Sequence, residues 1–287
     1  MTLRSAVVVA AMAALVLGCR TGLNYDEATG PFGQGRMGPR GRCQVQGDSL
    51  RIVSFNVEFG LRVRRAADVL ATHPDLRCAD VVLLQEMDEV GTLRIAAELG
   101  VEYVYYPSVH HHRYGRDFGN AVLSRWPIVE HAKIILPHVS LFTRTRRIAA
   151  AATLHVAGRP LRVYSTHLGS LLEVGGDARE AQLDAVVEDA ADHRHAIIGG
   201  DLNSGSVGVR ARDAGFDWPT EAGPATVRGR RWDHIFLRGF VGTSRSGAVV
   251  DADDVSDHRP VWVVVPWPCT PDAGVDQASK GSMGYCP

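Results

Sequence analysis

His195-Ala196-Ile197-Ile198-Gly199-Gly200-Asp201-Leu202-Asn203-Ser204 reads as a buried strand that ends in chemistry. Ala196, Ile197 and Ile198 form the short apolar run expected of a strand covered on both faces. Asp201 and Asn203 follow where the run stops. A strand end is a rigid mount with an exposed tip, the place where α/β folds put reacting groups. Taken alone, Asp201 to Ser204 reads better as an Asx turn, because short polar side chains at such positions bond to their own backbone.

The same arrangement recurs outward from this point. Asn56 follows Ile52-Val53-Ser54-Phe55, Glu86 follows Val81 to Gln85, and His167 follows Val163-Tyr164-Ser165-Thr166. Further strands are expected at Tyr103–Tyr106, Asn120–Ser124, Ile148–Val156, Asp233–Leu237 and Val261–Val265. Helical spacing marks Arg62–Thr72, Glu89–Leu99 and Asp177–Ala191. Nine short strands with interspersed helices predict an α/β (α+β) fold, a four-layer sandwich of two packed mixed β-sheets flanked by helices.

Length and charge narrow the class. The chain has 287 residues, enough for a large core, and 45% apolar with 22% charged residues excludes a disordered chain or a membrane bundle. Its formal net charge of −1 argues against tracking along duplex nucleic acid, which needs many phosphate contacts. Lys133 and Lys280 are the sole lysines among 31 basic residues, a bias that genome composition accounts for before bidentate phosphate recognition by arginine does.

The chain divides into four segments. Residues 1–19 carry Arg4, an apolar run from Ala6 to Leu17, and Gly18-Cys19, which fits an export signal better than a spanning helix. Val16-Leu17-Gly18-Cys19 resembles the lipobox of bacterial lipoproteins, which would make Cys19 the lipidated first residue of the mature chain and tie it to a membrane. An ordinary cleaved signal is the alternative. Either reading predicts export. Residues 20–46, rich in Gly, Pro and Arg, are expected to be an irregular linker, 47–266 the catalytic domain, and 267–287 a surface tail. Cys43, Cys78, Cys269 and Cys286 allow two disulfides in three pairings, with a Cys269–Cys286 clasp on the tail favoured.

Six motifs, in order, resemble those of the endonuclease/exonuclease/phosphatase superfamily. They are Ser54-Phe55-Asn56-Val57, Leu84-Gln85-Glu86, Gly119-Asn120-Ala121-Val122-Leu123-Ser124-Arg125, Ser165-Thr166-His167-Leu168, Gly199 to Ser204, and Ser256-Asp257-His258-Arg259-Pro260. The resemblance implies a Mg²⁺-dependent hydrolase of phosphate esters, with Mn²⁺ as a substitute. It assigns Glu86 as direct metal ligand, with Asn56 and Asp257 at the metal site. It implies that His258 takes a proton from attacking water, Asp233 orients His258, and Asp201 positions the water. Asn203 and His167 would donate to the phosphoryl oxygens. Arg147 and Asn120 match positions that can face substrate.

His110-His111-His112 can be read as a metal cluster or as a solvated loop near the substrate. Substrate choice stays open among nucleic acid, phospholipid headgroups and small phosphodiesters, with a nuclease-like substrate slightly favoured and a monomer expected. A non-catalytic binding module on the same scaffold is the other class; loss of Glu86, Asp201 or His258 would have signalled it.

Overall fold

The computed structural model describes residues 22–38, 43, 48–252 and 254–267. The export segment with Cys19, as well as Cys269 and Cys286, lies outside the described residues.

Alternating and continuous apolar runs build two mixed sheets. The larger has eight strands: β1 (Gly22–Asn24), β2 (Gly33–Arg36), β3 (Ser49–Asn56), β4 (Val81–Met87), β5 (Glu102–His111), β6 (Arg116–Ser124), β12 (Arg245–Ala248) and β13 (Val261–Pro266). Its order is β1-β5-β6-β4-β3-β13-β12, with β2 also paired to β5. The smaller sheet has the order β11-β10-β9-β8-β7, from β7 (Ile128–Val139), β8 (Arg146–Val156), β9 (Arg159–His167), β10 (Ala196–Asp201) and β11 (Asp233–Arg238). The β3–β4 and β9–β10 pairs are parallel and all others antiparallel.

Inward-facing Ile52, Leu83, Val104 and Val122 of the large sheet meet Ile148, Val163, Ile197 and Ile235 of the small one. Each such side chain, fully buried, contributes roughly 1.5–3 kcal/mol against exposure. Helices α1 (Val63–Thr72) and α2 (Glu89–Leu99) cover the outer face of the large sheet through Ala66, Leu70, Ile95 and Ala96. Helix α3 (Gly176–Asp189) and the short α4 (Val209–Asp213) cover the small sheet through Leu183, Val186 and Ala211. The expected four layers are therefore present.

Two expectations change. The 20–46 segment is not irregular throughout, because β1 and β2 pair with β5. Short edge strands are held by backbone hydrogen bonds and need no apolar alternation, so composition could not mark them. Strand β7 was also not foreseen: only Lys133 and Leu136 in it are buried, which leaves little period to detect. A Cys43–Cys78 disulfide, with Cα atoms 5.5 Å apart, ties the lead-in to the loop before β4.

A candidate active site across the two sheets

Register brings the polar strand ends together. In the small sheet Asp201 pairs with His167 on one side and Asp233 on the other, so three chemical residues stand abreast on three adjacent strands. This close pairing needs glycine just before Asp201: a Cβ on Gly200 would lie 1.8 Å from the Thr166 carbonyl oxygen. In the large sheet Asn56 ends β3 beside Gln85 of β4. The segment before β13 passes the same end, where Ser256 Oγ donates to the Asn56 carbonyl (2.8 Å) and accepts from the His258 backbone N–H (3.1 Å).

Polar stitches hold the two sheets in this alignment. Gln85 Nε2 donates to Ser165 Oγ (2.9 Å), which donates to the Leu84 carbonyl (2.8 Å). Asn120 Nδ2 donates to the carbonyls of Ile148 and Ser165 at 2.8 and 3.1 Å. Asn120 is thereby buried between the sheets and does not line the cleft described below.

Glu86 sits in the left-handed backbone region (φ 60°), within the register shift of β4 against β6 between Leu84 and Met87. A bulge re-aims the side chain it carries, and a non-glycine residue held in this region is strained, as functional sites often are. Asn203 shares that conformation (φ 50°). Glu86 accepts from Asn56 Nδ2 (3.1 Å) and from the Phe59 backbone N–H (3.0 Å), while the same Asn56 nitrogen donates to Asp201 Oδ2 (3.1 Å). Asn56 thus braces two carboxylates around one space, and its own oxygen accepts from the Glu58 N–H (3.1 Å).

His258 Nδ1 lies 2.9 Å from Asp233 Oδ2, and its Nε2 lies 3.7 Å from Asp201 Oδ2. The second distance is too long for a direct hydrogen bond but suits two groups facing a shared third atom. Burial lowers the proton affinity of His258, yet the Asp233 and Asp201 carboxylates outweigh it and hold the imidazole pKa at about 10. Burial, with the repulsion of Asp233 and Glu86, lifts Asp201 to about 7 against the pull of His258. Burial also raises Glu86.

His167 is the opposite case: burial, then the charges of Arg147 and His258, push it well below the usual imidazole value. Donors face both ring nitrogens of His167, Arg147 Nη1 at Nδ1 and Asn203 Nδ2 at Nε2, each at 3.2 Å. Arg147 can only donate, whereas Asn203 Nδ2 also has the Leu168 carbonyl as acceptor, so the ring proton is best placed on Nε2, 3.3 Å from Asp201 Oδ2. Asn203 Nδ2 donates to the Leu168 carbonyl (3.0 Å), and its backbone N–H donates to Asp201 Oδ1 (2.9 Å). Arg147 is fixed from behind by Glu173, which accepts from Nη2 (2.7 Å) and from the Ser170 N–H (2.8 Å).

A cleft of about 350 Å³ opens over this floor, lined by Glu86, Arg147, His167, Asp201, Asn203 and His258, with Asp257, Ser170, Arg228, Arg230 and Trp232 at its edges. Every expected site residue except Asn56, Asn120 and Asp233 lines it. Asn56 and Asp233 act on it from beneath through the bonds given above. Glu173 was missed, since a lone Glu in a loop carries no sequence signal. Arg228 and Arg230 belong to an Arg-Gly-Arg-Arg run whose charge was the available sign. The histidine run divides. His110 and His111 complete β5, where His110 Nδ1 lies 2.8 Å from Asp117 Oδ1 and His111 packs on Phe59 and Tyr114 in a cavity shared with Glu86 and Arg147. His112 is exposed in the following turn, so the solvated loop near the site is the better of the two readings.

The donor set suits a hard divalent cation. Asp201, Asp233 and His258 offer ligand atoms within 4.8 Å of one another, and Glu86 and Asp257 add carboxylates to the same cleft. Of these, His258 and Asp233 already face each other as a bonded pair, so the oxygen groups around Glu86 are the better cation seat.

A two-sheet sandwich with a buried His–Asp pair, clustered carboxylates and amide donors at its strand ends defines a phosphohydrolase-type α/β scaffold. The chain belongs to the Endonuclease/Exonuclease/phosphatase family, whose profile matches residues 53–258. Its members hydrolyse phosphoester bonds and typically use a divalent metal. Among curated proteins no sequence matches. Solved structures with the same fold include an endonuclease/exonuclease/phosphatase from Beutenbergia cavernae DSM 12333, 20% identical with TM-score 0.60, the match covering 76% of this chain and 72% of that one. D. rerio TDP2 complexed with single-strand DNA product is 18% identical with TM-score 0.59, covering 75% and 98%. Sphingomyelinase C from Streptomyces griseocarneus is 20% identical with TM-score 0.58, covering 76% and 99%.

Proposed function

We propose that this protein is an exported phosphodiesterase that uses Mg²⁺, or Mn²⁺ in its place, to hydrolyse a phosphate ester by in-line attack of water. The observation that carries this reading is the convergence of strand ends from both sheets on one cleft, with His258 and Asp233 paired across them.

Asp201 Oδ2 and His258 Nε2 face a common space. The uncompensated Asp233 and Asp201 carboxylates keep His258 protonated below about pH 10, so it would serve as a base where a cation beside those carboxylates lowers that value. A water in the common space then gives its proton to the neutral Nε2 as its oxygen attacks phosphorus. Asp233 accepts from Nδ1–H and stabilises the imidazolium. The leaving oxygen departs on the opposite side. His167 Nε2–H and Asn203 Nδ2 supply donors where charge accumulates on the phosphoryl oxygens, and Arg147 holds His167 in the tautomer that keeps its proton on Nε2. Glu86, with Asn56 and Asp257 beside it, would hold the cation, which neutralises phosphate charge when bound.

The residues that perform this chemistry do not select the group esterified to the phosphate. A panel of plasmid DNA, RNA, sphingomyelin, phosphoinositides and bis(p-nitrophenyl) phosphate, with Mg²⁺, tests the reading. Hydrolysis of at least one is expected; inactivity on all of them, with metal bound, would leave a binding module as the better account.

A further inference from the structure

Four large apolar side chains are exposed, uncovered by any described residue, on two loops that meet beside the cleft. Leu141 and Phe142, in the loop between β7 and β8, are 68% and 72% exposed, and Leu171 and Leu172, in the loop after β9, are 49% and 80% exposed. The two loops are one surface, because the Leu141 backbone N–H donates to the Glu173 carbonyl (2.9 Å). That surface belongs to the cleft's edge: Ser170 lines the cleft, and Glu173 in the same loop holds Arg147 against His167. Soluble proteins scatter single exposed apolar residues, but a contiguous group beside a polar site marks a surface that is covered in use.

The start of the described chain reaches the same place. In β1, Asn24 donates through Nδ2 to the Arg144 carbonyl (2.9 Å) and accepts from the Arg146 N–H (3.0 Å), clamping the strand to the Leu141–Phe142 loop. Leu23, 60% exposed, lines a depression with Arg144 and Arg146. Cys19 is three residues before Gly22, a span of at most about 10 Å of extended chain. A lipid on Cys19 would therefore enter the bilayer beside the apolar rim.

We infer that the rim formed by Leu141, Phe142, Leu171 and Leu172 docks on a lipid bilayer and turns the cleft toward phospholipid headgroups. This rests on the phosphodiesterase reading and chooses its substrate class: a membrane phosphodiester rather than nucleic acid. Exposed apolar side chains on two adjoining loops suit shallow insertion among acyl chains, and Arg144, exposed beside them, meets lipid phosphate. No helix among the described residues is long and apolar enough to cross a membrane.

Hydrogen–deuterium exchange of the full chain with unilamellar vesicles of phosphatidylcholine, phosphatidylglycerol and sphingomyelin tests the docking. Exchange should slow in residues 140–144 and 170–174 and stay unchanged around Val241, which is equally exposed but remote in sequence. A Cys19→Ser chain, which cannot carry the lipid, separates docking from tethering: slowing at the rim should persist in it, and its loss would show that the tether alone produced the difference. No slowing at the rim, equal slowing everywhere, or slowing by single-stranded DNA in place of vesicles would overturn the inference. In the Phe142→Ser/Leu172→Ser variant, release of headgroup from vesicles should fall more than about tenfold while turnover of bis(p-nitrophenyl) phosphate holds within about twofold. Unchanged vesicle hydrolysis, or parallel loss of both activities, would refute it. If the wild-type chain hydrolyses neither substrate, the phosphodiesterase reading fails, and the exchange pattern still decides the docking face.

Discussion

His258 and Asp233 form a hydrogen-bonded pair across two different sheets: Asp233 opens β11 in the small sheet, and His258 precedes β13 in the large one, with Nδ1 and Oδ2 2.9 Å apart. The pair exists only while the sheets keep their alignment. His258→Ala should lower turnover of a phosphodiester by about 10²–10⁴ with little change in KM, because a base that acts on water in the transition state contributes little to substrate binding. Asp233→Asn should cause a loss of similar order by releasing the ring tautomer. Steady-state kinetics on bis(p-nitrophenyl) phosphate decide this, and near-normal turnover in His258→Ala would remove the assigned mechanism.

Burial raises both Asp201 and Glu86, so their ionised forms are disfavoured in the folded protein. For an acid whose folded pKa is raised, the destabilisation appears above the unfolded value and is complete above the folded one, here about 7 for Asp201. Without divalent metal at pH 8, Asp201→Asn should therefore melt at a higher temperature than the parent while losing activity. Added Mg²⁺ should raise the parent's melting temperature and restore activity lost to a chelator. Full activity in excess chelator would be the contrary result.

Glu173 has the reverse sign. Burial would raise it, but Arg147 and the Ser170 N–H outweigh burial and hold it at about 2, below its ordinary 4.5. Its contribution to stability is then complete above about pH 4.5 and is lost as the pH falls toward 2, by at most about 3 kcal/mol. Urea unfolding should show this acid loss in the parent and a flatter profile in Glu173→Gln. Identical slopes from pH 5 to pH 2 would show that the pair adds nothing.

The Cys43–Cys78 bridge closes a loop with a sequence separation of 35, for which chain entropy gives about 4 kcal/mol as an upper value. The Cys43→Ser/Cys78→Ser variant should lose about 2–4 kcal/mol in chemical denaturation. Non-reducing peptide mapping that finds free thiols at either position would contradict the bridge.

Export through a lipobox predicts a mature chain that begins at a diacylated Cys19 and whose processing is blocked by globomycin. Intact-mass analysis of the membrane fraction checks it. A mature N-terminus well beyond residue 19 would discard the anchor, and with it one support for the apolar rim's orientation.

Strand interiors and the residues that end them were legible in the amino-acid order. Apolar runs such as Ile52 to Phe55 and Ala196 to Ile198 carry their own burial signal, and a polar residue where a run stops announces a strand end. Four such ends, within six motifs in a familiar order, were enough to point to the family and to single out Glu86, Asp201 and His258 as candidate site residues. Edge strands β1, β2, β7 and β12 escaped, since backbone pairing leaves little trace in side-chain pattern. Only the tertiary structure placed Asp201 between His167 and Asp233, turned Asn120 inward as a tie between sheets, and put Glu173 behind Arg147. Those facts depend on register and on the docking of two sheets, long-range relationships in which residues distant along the chain share one small space. The exposed rim was hidden for the same reason: Leu141 and Leu172 are ordinary leucines until the fold leaves them uncovered beside the cleft.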